Sequence, residues 1–204
     1  MIRVAVLGFL AFSAASAVAD KIEEPAYTPL GNVGQVELRL YAPSIQARTP
    51  LADSGQTNSG FRRLAGYIFG GNDSEMEIAM TAPVEETLED QPIMAFTLPS
   101  EHRMEDLPAP DDDGVTLVQV PERAVAVIAF SGWATEGKVE DKTETLLAIL
   151  ATQGIAVEGV PSLNQYNPPW TPPFMRRNEI TVAVALPPGV ALPDQQPAAD
   201  PDRS

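Results

Sequence analysis

The stretch Met76-Glu77-Ile78-Ala79-Met80-Thr81-Ala82-Pro83-Val84 decides the fold prediction. Its large apolar side chains fall on alternate positions, which is the period-two pattern of a half-buried β-strand. We therefore predict a strand from Met76 to Val84 with two thioethers on its buried face. Because methionine adapts to irregular neighbours, that face can either pack a core or line a pocket for a large apolar ligand. Pro83 lacks a backbone N–H, so the strand should lie at an edge or leave the sheet there.

The same order of elements, strand, strand, helix, strand, strand, occurs twice along the chain. Alternating apolar residues predict the strands, and apolar residues at helical spacing predict the helices. The first copy comprises strands at 35–41, 45–49, 76–84 and 93–98 and a helix at about 59–69. The second comprises strands at 115–120, 123–131, 163–167 and 177–186 and a helix at about 135–153. In this alignment Met80–Pro83 corresponds to Tyr166–Pro169, so that each copy has a proline at the end of its third strand.

This duplication predicts an α+β fold in one domain, residues 35–186, with repeats at about 35–99 and 115–186. The two βαββ-type repeats should pair about a pseudo-twofold axis. Their eight strands would form a mostly antiparallel, distorted barrel flanked by two helices. We predict an extended lead-in at residues 20–34, an exposed connection around 100–114 and a disordered tail at 187–204.

The first 19 residues have the pattern of a secretory signal peptide: Arg3, an apolar run, and Ala17-Val18-Ala19 before Asp20. We predict cleavage after Ala19 and a periplasmic or secreted protein; an uncleaved anchor is the alternative. The mature chain would keep 12 basic and 28 acidic side chains, a net charge of −16. That charge argues against nucleic acid and anionic membranes as partners. The absence of cysteine excludes thiolate catalysis and zinc–cysteine or iron–sulfur sites.

Catalytic motifs are scarce in the sequence. It contains one histidine, His102, and no phosphate-binding loop or nucleophile elbow. The acidic run at 111–113 lacks the spacing of a calcium loop and is predicted to be a solvated turn. We therefore predict a protein that is not an enzyme. The alternative is a carboxylate-based, hydrolase-like activity with Glu77 or Glu179 as general base, although both are predicted to lie on solvated strand faces.

A proline-rich segment at 167–179 is the strongest candidate binding feature. Its four prolines would stiffen a loop that carries Trp170, Phe174 and Met175, which reduces the entropy lost on binding. Basic pairs follow at Arg176-Arg177 and occur in the first helix at Arg62-Arg63. Apolar surface beside guanidinium groups suits a flat, greasy ligand that bears carboxylates. The alternative is that the aromatic rings fill the core and the arginines pair with surface acids.

These stretches resemble the SOUL family of heme-binding proteins over about residues 27–186. The matching residues are Gly60-Phe61, Leu64, Tyr67-Ile68, Gly70, Asn72, Ile78-Ala79-Met80-Thr81-Ala82-Pro83-Val84, Phe96, Leu98-Pro99-Ser100, Leu107-Pro108, Pro110, Phe130-Ser131-Gly132, Tyr166-Asn167-Pro168-Pro169, Pro173-Phe174 and Arg177-Asn178-Glu179. The two most specific anchors are Met-Thr-Ala-Pro-Val and Pro-Phe-x-x-Arg-Asn-Glu. The family also resembles the ligand-binding domain of gyrase-inhibitor-like regulators.

The resemblance implies a barrel-like sheet of two βαββ-type repeats and non-enzymatic binding of heme or a related tetrapyrrole, for scavenging, transport or storage. The alternative is a sensing or interaction module for another amphipathic ligand or a protein. We place the ligand on the outer face of the first helix and against the proline-rich loop. The predicted cofactor-binding residues are Arg62, Arg63, Tyr67, Trp170, Phe174, Met175, Arg176 and Arg177. His102 is a candidate iron ligand; otherwise Tyr67, Tyr166, Met80 or Met175 would serve, or no side chain at all.

Overall fold

The computed structural model describes residues 22–52 and 57–186, which form a sheet with two helices. In chain order the elements are β1 (Tyr27–Val33), β2 (Val36–Tyr41), β3 (Ser44–Pro50), α1 (Thr57–Ile68), β4 (Val84–Thr87), β5 (Ile93–Thr97), β6 (Thr116–Val120), β7 (Arg123–Phe130), α2 (Glu136–Thr152), β8 (Ser162–Gln165) and β9 (Asn178–Ala183). Within these residues no helix is long and apolar enough to cross a membrane. The predicted signal peptide (1–19) and tail (187–204) lie outside the described residues.

The strand order confirms the predicted duplication. All neighbouring strands are antiparallel, in the order β1-β2-β7-β9-β8-β4-β5-β3-β6. From the central β4–β8 pair outward, β8, β9, β7 and β2 mirror β4, β5, β3 and β6. The two copies are therefore related by a pseudo-twofold axis between β4 and β8.

The sheet has nine strands where eight were predicted, because residues 27–33 of the predicted lead-in form β1. Pro29 and Gly31 break the sequence pattern that would have indicated a strand. The structure accommodates them with a register shift between Pro29 and Gly31 in the pairing with β2. An edge strand tolerates this because its outer hydrogen-bonding groups need no partner strand.

The sheet curls into a half-barrel. We call the side that carries α1 and α2 the helix face and the other side the inner face. Eight strands contribute side chains to one small cavity of about 40 Å³ on the inner face, through Tyr41, Gln46, Glu85, Thr97, Val120, Val125, Asn164 and Thr181. Side chains of eight strands can meet in one cavity only if the sheet bends around it, which is the distorted barrel that the duplication predicted.

Each helix seals its own core cluster on the helix face. Leu64 and Ile68 of α1 are buried against β3 and β5, where Met94 is fully buried. Leu146 and Leu150 of α2 are fully buried against β7 and β9. A fully buried leucine or isoleucine stabilises the fold by about 1.5–3 kcal/mol, so these clusters fix both helices on the sheet.

The strand predicted at 76–84 is wrong over most of its length, since β4 begins only at Val84. The alternation itself is present, with Ile78 buried between exposed Glu77 and Ala79. However, the backbone pairs elsewhere: the N–H of Ile78 donates to the carbonyl of Ile68 at the end of α1 (2.8 Å). Period two therefore indicated an extended chain but could not show what it pairs with. Met76 and Met80 pack against the core cluster beneath α1.

The predicted correspondence of Pro83 with Pro169 is also wrong. Pro83 lies directly before β4, whereas Pro169 follows β8. Pro161 is the proline directly before β8, and it takes the place in the second repeat that was assigned to Pro169. The error arose in the first repeat, because the third strand was predicted to end at Val84, whereas β4 begins there.

Candidate functional site

The two helices leave a cleft between them over the central β4–β8 pair. Its floor is formed by alternate side chains of both strands, since Val84 pairs with Gln165 and Glu86 with Leu163. Two cavities of about 600 and 560 Å³ make up the cleft, and both are lined by Thr57, Ala134 and Gln165. Each volume lies within the range of small-molecule and cofactor sites, roughly 300–1,000 Å³.

One end of the cleft is aromatic. Phe61 of α1 is 40% exposed, and its ring packs edge-on against the core residue Phe96 with centroids 5.3 Å apart. Trp133, just before α2, is 54% exposed, and the guanidinium of Arg176 stacks 4.0 Å from its ring centroid. Pro169 completes this wall. Two anchored, half-exposed rings offer flat apolar surface to a ligand.

The other end of the cleft is acidic. Glu86 lies on its floor, and Glu136, Glu140 and Glu144 of α2 line its side, interleaved with Val139. Burial raises the pKa of Glu86, and a hydrogen bond from the Thr57 hydroxyl (3.2 Å) opposes that rise. The cleft therefore has an aromatic end that accepts apolar surface and an acidic end that repels anions.

We predicted that Arg62, Arg63 and Tyr67 share the outer face of α1, but in the structure they do not. Tyr67 is 2% exposed, and its hydroxyl donates to the carbonyl of Pro108 (3.1 Å), so its ring belongs to the core. Arg62 is exposed, and its Nε donates to the carbonyl of Asn58 (3.3 Å), which lines the cleft. Arg62 does not itself line the cleft, but it lies one helical turn from Asn58, a position that we call the rim of the cleft.

Arg63 points to the opposite flank of α1. Its Nη1 donates to the hydroxyl of Thr49 (2.8 Å), and its Nε lies 3.3 Å from Asp112 Oδ2. Asp112 also accepts a hydrogen bond from the N–H of Gly114 (2.8 Å). The acidic run at 111–113 thus carries the partner of Arg63. Within the described part of the chain, no group of three His, Asp or Glu side chains is arranged to hold a metal ion.

The other predicted contacts lie in the loop at 167–177, and only some of them line the cleft. Trp170, Phe174 and Met175 are exposed at its tip and do not line the cleft, so their contact with a ligand stays a prediction. Arg176 is 7% exposed and does line the cleft. Arg177 stacks on Tyr166 at 3.7 Å from the ring centroid and forms ion pairs with Glu24, which precedes β1, and with Glu179 of the inner face.

The inner face holds a buried ion network that sequence reasoning missed. Glu179 is 1% exposed and accepts hydrogen bonds from Arg39 (2.9 and 3.2 Å), from Arg177 (2.9 and 3.0 Å) and from the hydroxyl of Tyr166 (2.7 Å). Arg39 is 4% exposed and also reaches Glu37 (2.6 Å). In the sequence, Glu37, Arg39 and Tyr41 alternate with apolar residues, which predicts a wet face for β2, and Glu179 of β9 was predicted to lie on a solvated face. Both predictions are wrong, because these faces line the interior of the half-barrel.

The surroundings of Glu179 oppose its use as a general base. Burial alone would raise the pKa of its carboxyl, but hydrogen bonds from Arg39 and Tyr166 and the charges of Arg39 and Arg177 outweigh burial and lower it. Burial and the neighbouring Glu179 raise the pKa of Tyr166, which keeps its hydroxyl protonated as a donor. A carboxylate held ionised by two arginines is a poor proton acceptor.

His102 lines a separate cavity of about 390 Å³ at the edge of the inner face. Residues 23–26, 42–45 and 97–100 form most of its other walls, and Met104 is also among the lining residues. His102 Nε2 is 3.9 Å from Glu101 Oε1. This cavity shares no lining residue with the cleft between the helices. The structure therefore separates His102 from the predicted arginines and aromatic rings.

Comparison with known proteins identifies one family and relatives that are heme-binding proteins by name. The sequence model of the family described as SOUL heme-binding protein matches residues 22–183. Heme-binding protein 2 of Homo sapiens is 30% identical over 157 residues, which cover 70% of this chain and 76% of that protein. Heme-binding protein 2 of Mus musculus is 32% identical over 132 residues, which cover 59% of this chain and 64% of the mouse protein, so just under two thirds of that relative's length is spanned.

The fold also occurs outside these relatives. The crystal structure of the EcmrR C-terminal domain superposes with a TM-score of 0.59 at 9% identity, covering 74% of this chain and 97% of that domain. An identity this low shows a shared fold alone.

Proposed function

This chain belongs to the SOUL heme-binding protein family, and we propose that it binds heme or a related tetrapyrrole in the cleft between α1 and α2. The observation that carries the proposal is the aromatic end of the cleft, where Phe61 and Trp133 present half-exposed rings beside a cavity of about 600 Å³. A flat macrocycle gains most from such walls because it buries apolar area on both faces.

The charges around the cleft orient the ligand. Carboxylates on the macrocycle are repelled by Glu86 and the three glutamates of α2, and they are attracted to Arg62 at the rim. Arg176 adds a second guanidinium on the aromatic wall, although Trp133 and the loop carbonyls already engage it. The macrocycle would therefore enter with its apolar edge towards the sheet and its carboxylates outward.

The cleft fits the macrocycle better than it fits the iron. Among the described residues that line it, none is His, Cys, Met or Tyr, the usual axial ligands of heme iron. Tyr67 is in the core, Tyr166 is in the ion network, and His102 lies in another cavity. We propose that apolar contact and the rim charge hold the ligand without a protein axial ligand.

Titration with hemin tests this proposal. We expect a saturable Soret shift that ends at one equivalent, and iron-free protoporphyrin IX should bind within about threefold of the hemin affinity because no side chain ligates the iron. Absorbance and tryptophan quenching follow both ligands. Non-saturating behaviour with hemin would contradict the proposed function. An affinity for protoporphyrin a hundredfold below that for hemin would contradict only the proposal that no side chain ligates the iron.

Arg62 and Arg63 provide a matched pair of variants. Arg62→Ala should weaken hemin binding about threefold, the size expected for one exposed charge pair. Arg63→Ala should leave the affinity unchanged, because Thr49 and Asp112 hold that side chain on the other flank of α1. Equal losses in both variants would show that the rim charge is not specific to Arg62. A larger loss in His102→Ala would move the ligand to the His102 cavity.

We further propose that the protein works outside the cytoplasm, in scavenging, transport or storage of the tetrapyrrole. The support is the basic start, the apolar run and the Ala17-Val18-Ala19 site at the beginning of the chain. N-terminal sequencing of the protein from a periplasmic or medium fraction should begin at Asp20. An intact Met1 in protein that stays with the cytoplasmic fraction would contradict export.

The acidic end of the cleft supports a second candidate, binding of a lipophilic cation. Glu86, Glu136, Glu140 and Glu144 line a cavity that also has apolar walls. Thermal-shift measurements with quaternary ammonium amphiphiles and with porphyrins separate the two functions, since the ligand that binds the native state raises the melting temperature. A rise with the cations alone would favour the second candidate.

A further inference from the structure

The tip of the loop between β8 and β9 presents three large apolar side chains to solvent. Trp170 is 83% exposed, Phe174 81% and Met175 62%. Scattered apolar side chains are common on protein surfaces, but three in six residues of one loop form a cluster. None of these three side chains lines the cleft.

The loop holds these side chains outward by a dense set of internal hydrogen bonds. The buried Arg176 donates from Nε to the carbonyl of Thr171 (3.0 Å) and from Nη2 to the carbonyl of Pro169. The N–H of Gly132 donates to the carbonyl of Pro173 (2.9 Å), which ties the loop to the end of β7. The exposure is therefore built into the fold, and little ordering entropy is lost when the tip is buried.

The charge around the tip differs from that of the rest of the protein. Residues 159–178 contain no Asp or Glu, although the chain has 28 acidic residues. The only charged residues in this stretch are Arg176 and Arg177, and both are engaged within the protein. The tip is thus an uncharged apolar surface on a strongly acidic protein, and it can approach a polar interface without local repulsion.

We propose that the tip, Trp170–Met175, inserts into the interfacial region of a phospholipid bilayer. Tryptophan favours that region because its ring is apolar and its N–H meets the headgroups. Apart from that N–H, Thr171 is the one side chain of the tip that can form hydrogen bonds, so the tip has little with which to specify a protein partner. A surface that offers apolar area without polar specificity suits a lipid interface better than a protein groove.

The insertion would place the aromatic end of the cleft at the membrane. Pro169 and Arg176 flank the tip and also line that end. An apolar ligand dissolved in the bilayer would then enter the cleft without crossing water. This consequence rests on the proposed tetrapyrrole function, whereas the lipid contact itself does not.

Vesicle partition without any added ligand tests the proposal. The mature chain should float with phosphatidylcholine vesicles, and the Trp170→Ser/Phe174→Ser variant should partition at least about tenfold less, because two side chains lose apolar burial. Phe69→Ser is the matched control: Phe69 is 67% exposed at the end of α1, and its loss should not change partition. Equal partition of the tip variant and the wild type would overturn the proposal.

A second measurement does not depend on the folding of the tip variant. In Trp133→Phe, Trp170 is the remaining tryptophan, and its emission should shift to the blue with phosphatidylcholine vesicles and be quenched by brominated lipid. Absence of both effects, with neutral and with phosphatidylglycerol-containing vesicles, would overturn the lipid contact. A tip variant that loses hemin affinity but keeps vesicle partition would also overturn it, in favour of a ligand contact; hemin binding and vesicle binding can thus fail separately.

Discussion

Replacing Glu179 with glutamine should lower the free energy of unfolding by about 3 kcal/mol, the cost of breaking a buried ion pair. The carboxylate is 1% exposed and lies between the guanidinium groups of Arg39 and Arg177. The amide keeps the shape but removes the charge, so Arg39, itself 4% exposed, retains only Glu37 as an ionic partner. Urea denaturation at neutral pH measures the loss. Glu122→Gln, in the exposed turn between β6 and β7, should change stability by less than about 0.5 kcal/mol.

The stability that Glu179 contributes should fall as the solution becomes acidic. The pKa of Glu179 is lower in the folded protein than its ordinary value of 4.5, so folding favours its ionised form. The stability it contributes is fully present above about pH 4.5 and is lost as the pH falls through the folded-state pKa. The wild type and Glu179→Gln should therefore differ by a constant amount from pH 7 to 5 and converge in more acidic solution. A difference that persists unchanged to pH 2 would contradict the role of the carboxylate charge.

The ion network also shows where sequence reasoning reaches its limit. The predicted pattern of β2 placed Arg39 and Tyr41 on a wet face, because alternation separates two faces but does not reveal that a sheet closes on itself. Glu179, the partner of Arg39, lies 140 residues away in the sequence. Nothing local to either strand indicates that the charged faces meet. The duplication did predict a barrel, and a barrel has an interior, so the polar faces could have been assigned to it.

Only part of the candidate cleft was predicted, because local sequence patterns indicate elements but not which elements meet. Local patterns identified α1 and the proline-rich loop, and the structure brings Phe61 of α1 and Arg176 of the loop to the lining of one cavity. Trp133 was missed, although it directly follows the matched Phe130-Ser131-Gly132, because a single tryptophan before a helix has no periodic signal. Tyr67 was assigned to the surface because its spacing along the helix does not show whether the rest of the chain covers its side of the helix. Its ring packs in the core at 2% exposure.

Replacing Ala134 with tryptophan should reduce hemin affinity at least about 100-fold, a loss of about 2.7 kcal/mol in binding free energy. Ala134 lines both cavities of the cleft, so one added indole occupies the space where they join. The methyl group is partly exposed, and the new ring can extend into the open cleft rather than into the packed core. The fold should therefore survive a change that removes the binding site. Hemin titration of the folded variant measures the loss.

Ala151→Trp is the matched control, because it adds the same ring to an exposed position near the end of α2, outside the residues that line the cleft. It should bind hemin as the wild type does, and both variants should show wild-type far-ultraviolet circular dichroism. If Ala134→Trp kept full affinity, the macrocycle would have to lie outside the cleft between the helices. The His102 cavity would then become the leading site, because two residues of types that ligate heme iron, His102 and Met104, line it. Loss of binding in Ala134→Trp with retention in His102→Ala would instead place the ligand in the cleft between the helices.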